Sequence, residues 1–321
     1  MRHIVAKQRA IITRMKVLNR TGEQYKILKY TRHYDENFIF LTVEHYQKCG
    51  FRCFYCITES QGKTRPTEPN FPALQQRFLQ ELADFPSDAY MFCISGATDP
   101  YNDIEEQYGY TRFVVDELTT RNRRFSVNTK GTLVVRDIDL FLRMPVDRYK
   151  VIISLSASTS ELSHFIEPQA PSAEDRIAVI HQLHAAGVNV CAGIFPWVPG
   201  ITDTDRLLSL LPKGIKLFLQ PLDLGGAFEE TLDHQRPRFS AELAHGKRWT
   251  QDEINRAYIQ ECNTVGKKYW KQFDTEWRHP ITQDSHYDNS GYLKRMRPGR
   301  FDPDQWVAEH PVTPRIPTTS L

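Results

Sequence analysis

Several things are scarce in this sequence, and each scarcity narrows the reading. No apolar run approaches the ~18 residues that a membrane-spanning helix needs, so no membrane partner is expected. The start, Met1-Arg2-His3-Ile4-Val5-Ala6-Lys7, lacks the apolar core of a secretory leader. A cytoplasmic location is therefore expected, where thiols stay reduced. The formal net charge is only +2, which by itself favours no class of partner. There is no internal repeat and no long low-complexity tract. Cysteine is rare as well, with six in 321 residues, and only one place brings cysteines together. A disulfide framework is not the expectation. What remains is ordinary globular composition, 40% hydrophobic and 25% charged, enough for one large domain with extensions or two small ones.

The one concentration of cysteine is Lys48-Cys49-Gly50-Phe51-Arg52-Cys53-Phe54-Tyr55-Cys56, with spacing C-x3-C-x2-C. A loop this short can fold three thiolates around one small inorganic object, a metal ion or an iron–sulfur cluster. Structural zinc sites and ordinary cluster sites close with four protein ligands. This loop offers Cys49, Cys53 and Cys56 with no fourth Cys or His nearby. An open coordination position implies chemistry, although a partial zinc knuckle or surface cysteines would give the same spacing. Tyr55, just before the third cysteine, supplies a flat ring that can cover a bound nucleoside.

The chain around the loop alternates strand and helix. Apolar, β-rich runs over 38–43, 89–95, 125–129, 150–156, 188–195 and 215–220 read as six buried strands. Helical spacing appears over 73–84, 104–120, 138–142, 172–186 and 203–211. Such alternation predicts a parallel sheet covered by helices, here a partial (β/α)6 TIM-like barrel over 37–222. Residues 1–36 form a basic N-terminal extension, and 223–321 an irregular C-terminal appendage with one helix expected over 251–273.

In such sheets chemistry sits at the C-terminal ends of the strands, and the cysteine loop follows the first strand directly. The second strand ends in Ser95, Gly96 and Asp99, with a glycine that lets the backbone approach a ligand. The third ends in Lys130, placed to meet a carboxylate. The fourth ends in Ser154 and Ser156, hydroxyls suited to a ribose. The fifth ends in Gly193 and Phe195, backbone and an apolar wall for an adenine. Each alone reads equally well as a turn former or a solvated side chain, and recurrence at one end of successive strands is the stronger signal.

The cysteine spacing with its aromatic resembles the radical S-adenosylmethionine (SAM) superfamily. Within it, the blocks Cys93-Ile94-Ser95, Thr129-Lys130, Val151-Ile152-Ile153-Ser154, Ile166-Glu167-Pro168, Asp175-Arg176-Ile177 and Ala186-Gly187 are similar to the spore photoproduct lyase branch over residues 38 to 222. Thr98-Asp99-Pro100-Tyr101 and Arg136-Asp137 are similar to a wider group of its relatives. The resemblance implies that Cys49, Cys53 and Cys56 bind a 4Fe–4S cluster whose open iron chelates SAM. It implies that Ser95 and Lys130 hold the methionine part, that Ser154 holds the ribose region, and that Cys93 is a hydrogen-atom donor. The same thiol also reads as a small buried apolar residue. Two departures stand against lyase activity itself: Cys56-Ile57-Thr58-Glu59 lacks the relatives' usual Cys-Tyr pair, and Asp99-Pro100-Tyr101 replaces a different stretch.

The implied activity is a radical SAM enzyme that cleaves SAM to a 5′-deoxyadenosyl radical and acts on nucleic acid, in repair or base modification. A reducing partner such as flavodoxin or ferredoxin is implied too. The basic extension reads either as an arm for anionic partners or as a solvated leader, and the interleaved Lys267, Lys268, Tyr269, Trp270, Lys271, Trp277, Arg278, Arg295 and Arg297 either as rings and cations for unpaired bases or as a packed cover for the barrel with an exposed basic face. The alternatives are a peptide or small-metabolite substrate, or a non-enzymatic metal or nucleic-acid binding module. No second cysteine cluster is present, which disfavours peptide-modifying relatives with auxiliary clusters.

Overall fold

A computed structural model describes residues 27–34, 39–46, 49–56, 71–86, 88, 90–94, 98–222, 250–269 and 274–277. Ser95 and Gly96, the first 26 residues, and the basic tail with Arg295 and Arg297 lie outside the described residues.

The six expected strands are present as β2 (Ile39–Val43), β3 (Tyr90–Ile94), β4 (Arg124–Thr129), β5 (Tyr149–Leu155), β6 (Val190–Trp197) and β7 (Lys216–Pro221). They pair in chain order and all in parallel. Each flank adds a strand that the composition did not announce. From the N-terminal side β1 (Leu28–Tyr34) pairs antiparallel with β2, and from the C-terminal side β8 (Asp274–Trp277) pairs parallel with β7. Among the described residues the sheet is an open partial barrel with β1 and β8 as its edges.

The helices in chain order are α1 (Phe71–Ala83), α2 (Glu105–Tyr108), α3 (Tyr110–Thr120), α4 (Ile138–Phe141), α5 (Ser160–Ile166), α6 (Ala173–Ala185), α7 (Thr204–Ser209) and α8 (Gln251–Tyr269). A 3-10 turn over Thr132–Asp137 precedes α4. The single helix expected over 104–120 is two, because Gly109 takes φ 62°, a left-handed conformation that ends α2 and starts α3 at a new angle. Helix α5 escaped the periodicity. It is only seven residues long, and its start is set by the Thr159 side chain accepting from the Leu162 N–H.

Strand alternation separates two faces. Phe92 and Ile94 of β3, Phe125 and Val127 of β4, and Val151 and Ile153 of β5 are buried in one core with Val114, Leu118, Ile180 and Leu183 from the helices. The intervening residues Met91, Cys93, Ser126, Asn128, Lys150 and Ile152 are only half-buried and belong to the inner face. The site lies where this inner face meets the C-terminal ends of the strands.

Candidate active site

The cysteine loop is docked against the end of α5 by backbone hydrogen bonds on either side of Cys53. The Phe54 N–H donates to the Ile166 carbonyl at 2.9 Å, and the Gln169 N–H donates to the Phe51 carbonyl at 3.1 Å. Arg52 turns the chain between these points at φ 51°, a left-handed conformation for a non-glycine residue. Cys53 is buried, Cys49 and Cys56 are half-buried, and all three sit in one small cluster with Phe51, Tyr55 and Ala170. None is in a disulfide. Burial raises the Cys49 and Cys53 thiols above their ordinary range, and each also feels the neighbouring cysteines. Lys130 works the other way on Cys53, favouring its thiolate.

Among the described residues, no three His, Cys, Asp or Glu side chains converge as they would around a single metal ion. In an iron–sulfur cluster each cysteine takes a different iron, so the sulfurs stand apart. Three free thiols in one partly buried loop, with Lys130 acting on Cys53 and no fourth Cys or His in the loop, fit such a cluster with one open position.

Lys130 is held by its own backbone. Its N–H donates to Asp99 Oδ2 at 2.7 Å, while Asp99 Oδ1 accepts from Thr129 Oγ1 at 2.5 Å and from the Tyr101 N–H at 2.9 Å. Both Asp99 oxygens thus accept from protein donors, and Asp99 serves as a brace between the ends of β3 and β4. Gly131 follows, and a Cβ there would lie 2.2 Å from the Tyr101 carbonyl oxygen. A buried charge network continues outward. Tyr101 Oη donates to Asp137 at 2.8 Å, and Arg136 Nη2 bonds Glu105 Oε1 at 2.6 Å. Tyr46, just ahead of the cysteine loop, donates to the other oxygen of Glu105 at 2.5 Å.

The Lys130 ammonium stands 5.4 Å from the centre of the Tyr55 ring and 3.9 Å from Glu167 Oε1. Burial alone would lower its pKa, but Cys53, Glu167 and Asp99 together hold it above its usual value. Ser156 is buried and donates to Glu167 Oε1 at 2.7 Å. Ser154 is buried too, and its hydroxyl donates to the Phe195 carbonyl at 2.9 Å, linking β5 to β6. The Phe195 ring lies over Gly193, where a Cβ would meet it at 2.4 Å. It also meets Phe218 of β7 edge-on at 5.4 Å. Cys93 is half-buried on the inner face, in register with Thr42 of β2 and Ser126 of β4. On the same face, Asn128 Oδ1 is a buried acceptor without a hydrogen-bond partner.

The structure therefore brings together the cysteine loop, Tyr55, Lys130 and Ser156, and places Ser154, Gly193 and Phe195 along the adjoining strand ends. It also adds two residues that the sequence reading left without a role, Glu167 and Arg176. Both are fully buried, with Arg176 Nη2 at 2.6 Å from Glu167 Oε2. They lay inside blocks already singled out, in Ile166-Glu167-Pro168 and Asp175-Arg176-Ile177, but nothing in their spacing put them beside the cysteines.

Comparison with known proteins gives relatives in sequence and in fold. An uncharacterized protein of Mycobacterium tuberculosis is 27% identical over 183 residues, covering 53% of this chain and 53% of its own length. An uncharacterized protein of Methanocaldococcus jannaschii is 26% identical over 239 residues, covering 70% of this chain and 86% of the relative. The chain thus spans about half the length (53%) of the mycobacterial relatives it matches. Among solved structures, a spore photoproduct lyase variant with dinucleoside spore photoproduct superposes with a TM-score of 0.57 at 12% identity, covering 76% of this chain and 78% of that one. Streptococcus suis SuiB bound to its precursor peptide gives 0.51 at 11% identity, covering 86% and 54%. At such identities the likeness is one of fold. The sequence pattern of the Radical SAM superfamily matches residues 43–211, more than half of the chain, from the last residue of β2 to just past α7. The chain belongs to the radical SAM superfamily, whose members use a 4Fe–4S cluster and SAM.

Proposed function

We propose that this protein is a radical SAM enzyme acting on nucleic acid, in repair or modification of a base. The observation that carries the reading is the position of Cys93, a half-buried thiol on the inner face of β3, one residue before the C-terminal end of that strand. A thiol there can return a hydrogen atom to a substrate carbon radical, its S–H bond breaking as the C–H bond forms and the unpaired electron passing to sulfur. Spore photoproduct lyase, whose fold this chain shares, has been seen with a dinucleoside spore photoproduct. That supports a nucleic-acid substrate here over the peptide seen in SuiB.

In this reading Cys49, Cys53 and Cys56 hold the cluster. When bound, the cluster and SAM supply a 5′-deoxyadenosyl radical. Lys130 receives the carboxylate of SAM together with Ser95, near Gly96 and the Asp99 brace. Tyr55 lends its ring, Ser154 and Ser156 line the ribose side, and Gly193 with Phe195 forms the adenine wall. Residues 37–222 carry the chemistry, while the basic extension over 1–36 and the basic cluster Lys294, Arg295, Arg297 and Arg300 within the C-terminal appendage 223–321 contact phosphate. A flavodoxin or ferredoxin supplies the electron, in the cytoplasm.

The test is anaerobic reconstitution followed by measurement of 5′-deoxyadenosine with DNA or RNA oligomers, irradiated and not, and with peptides. Formation stimulated by an oligomer, with binding that weakens steeply as salt rises, supports the reading. Stimulation by peptide alone, or salt-insensitive binding, overturns it.

A further inference from the structure

We infer that Glu167 is the positioning residue of this site, setting the cysteine loop, Lys130 and the end of β5 in place from one carboxylate. Glu167 follows α5 directly and is fully buried. Its Oε1 accepts from the Tyr55 hydroxyl and from Ser156 Oγ at 2.7 Å, with the Lys130 ammonium at 3.9 Å. Its Oε2 faces Arg176 Nη2 at 2.6 Å, an ion-pair contact without hydrogen-bond alignment. Arg176 is itself fully buried. Its Nη1 donates to the Ser154 carbonyl at 2.9 Å and its Nε to the Ser172 carbonyl at 3.3 Å.

Burying an ion pair is costly, and well-packed apolar side chains commonly serve stability as well or better. A pair at this place makes sense through what it touches. Tyr55 neighbours Cys56, so fixing its hydroxyl fixes the approach of the third thiol. The backbone bonds from Phe54 to Ile166 and from Gln169 to Phe51 bind the same loop to the same segment. The two cations differ: Arg176 stands 2.6 Å from one oxygen and is anchored by two backbone carbonyls, whereas Lys130 stands 3.9 Å from the other. Lys130 can therefore exchange Glu167 for an incoming carboxylate, while Arg176 keeps Glu167 in place. The inference rests on the superfamily assignment and not on the substrate.

The experiment uses the full chain, reconstituted anaerobically, with Glu167→Gln, Tyr55→Phe and Ser156→Ala. A carboxamide cannot keep two acceptor oxygens, so Glu167→Gln gives up either the Tyr55 and Ser156 bonds or the Arg176 pair. Three readouts are taken: iron per chain, SAM dissociation constant, and the EPR spectrum of the reduced cluster with and without SAM. Glu167→Gln is expected to keep its iron, to bind SAM at least tenfold more weakly and to show an altered spectrum with SAM. Tyr55→Phe and Ser156→Ala are expected to move the same way by a smaller factor. A lowered melting temperature with wild-type SAM affinity and wild-type spectra would mean a merely structural carboxylate and overturns the inference. If Glu167→Gln does not fold, wild-type SAM affinity and spectra in both Tyr55→Phe and Ser156→Ala overturn it equally. No oligomer is present, so failure here leaves the nucleic-acid reading untouched, and a wild-type chain without iron would count against the cluster itself.

Discussion

Asp99 accepts the Lys130 backbone N–H at 2.7 Å, so the aim of the Lys130 side chain depends on a carboxylate that hydrogen-bonds its main chain and also favours its charge. Removing that carboxylate strands the Thr129 hydroxyl and two backbone N–H groups in a buried place, at about 1–3 kcal/mol for each group left unsatisfied. Asp99→Ala is expected to lower the melting temperature and weaken SAM binding together. Asp99→Asn keeps two of the acceptor contacts at Oδ1 and is expected to fall between. Thermal melts and equilibrium SAM binding check this, and an Asp99→Ala chain with unchanged SAM affinity would detach the brace from the site.

Lys130→Ala separates binding from cluster assembly. Lys130 is not among the thiol donors, so iron content is expected to stay near about four per chain. SAM loses the charge that meets its carboxylate. Charge-assisted hydrogen bonds contribute about 1.5–3 kcal/mol, which corresponds to a SAM dissociation constant raised by roughly tenfold or more. Iron analysis and SAM titration on the same preparation decide it, and normal SAM binding would remove Lys130 from the proposed site.

How far the sequence was legible follows from what each signal depends on. The six inner strands and the cysteine loop were readable because apolar runs, punctuation and C-x3-C-x2-C spacing are local. Lys130, Ser154 and Phe195 were readable as a group because parallel strands place their ends together. Strand β1 was hidden by its own charges: Lys29, Arg32 and His33 made an edge strand look like a basic arm. Strand β8 is four residues long and carries Asp274 and Glu276, too short for alternation to stand out. Glu167 and Arg176 were legible only as words in a resemblance. Their meaning comes from the return of the chain after β5, which sets a carboxylate 112 positions along in sequence against Tyr55. From sequence Asp99 looks ligand-facing, and in the structure its oxygens accept from Thr129, Lys130 and Tyr101.

His45 gives the fold a pH dependence of definite sign. It is buried between the rings of Tyr46 at 4.7 Å and Tyr110 at 5.2 Å, with Nε2 at 2.7 Å from Thr111 Oγ1. Burial lowers its pKa from 6.5 to about 3. Between those values the unfolded chain binds the extra proton and the folded chain does not, so stability rises with pH through the window and is fully present above it. Each unit of acidification below the unfolded value costs about 1.4 kcal/mol. His45→Gln is expected to be less stable at neutral pH, yet to show a flatter fall in melting temperature as pH drops toward 4.5. Equal slopes in the two proteins would place the acid sensitivity elsewhere.

Cys93 tests the chemistry most directly. Its neighbours in β3, Phe92 and Ile94, are fully buried against the helices, while Cys93 is half-buried on the opposite face. On that face the residue is partly exposed, whereas a free thiol used for packing is usually a small core hydrophobe. Cys191 of β6 is the natural comparison: it is only 1% exposed. If Cys93 returns a hydrogen atom after the main chemistry, its loss leaves the earlier events intact. Cys93→Ala is then expected to keep its iron, bind SAM normally and still form 5′-deoxyadenosine, while the substrate radical goes unquenched and yields altered or aborted product. Cys191→Ala is expected to give the normal product from a less stable protein, because deleting a buried sulfur leaves a small cavity. The decisive comparison is product identity by mass spectrometry at equal 5′-deoxyadenosine yield. Normal product at the normal rate from Cys93→Ala would reduce Cys93 to packing and pass the donor role to a tyrosine, another thiol or 5′-deoxyadenosine itself.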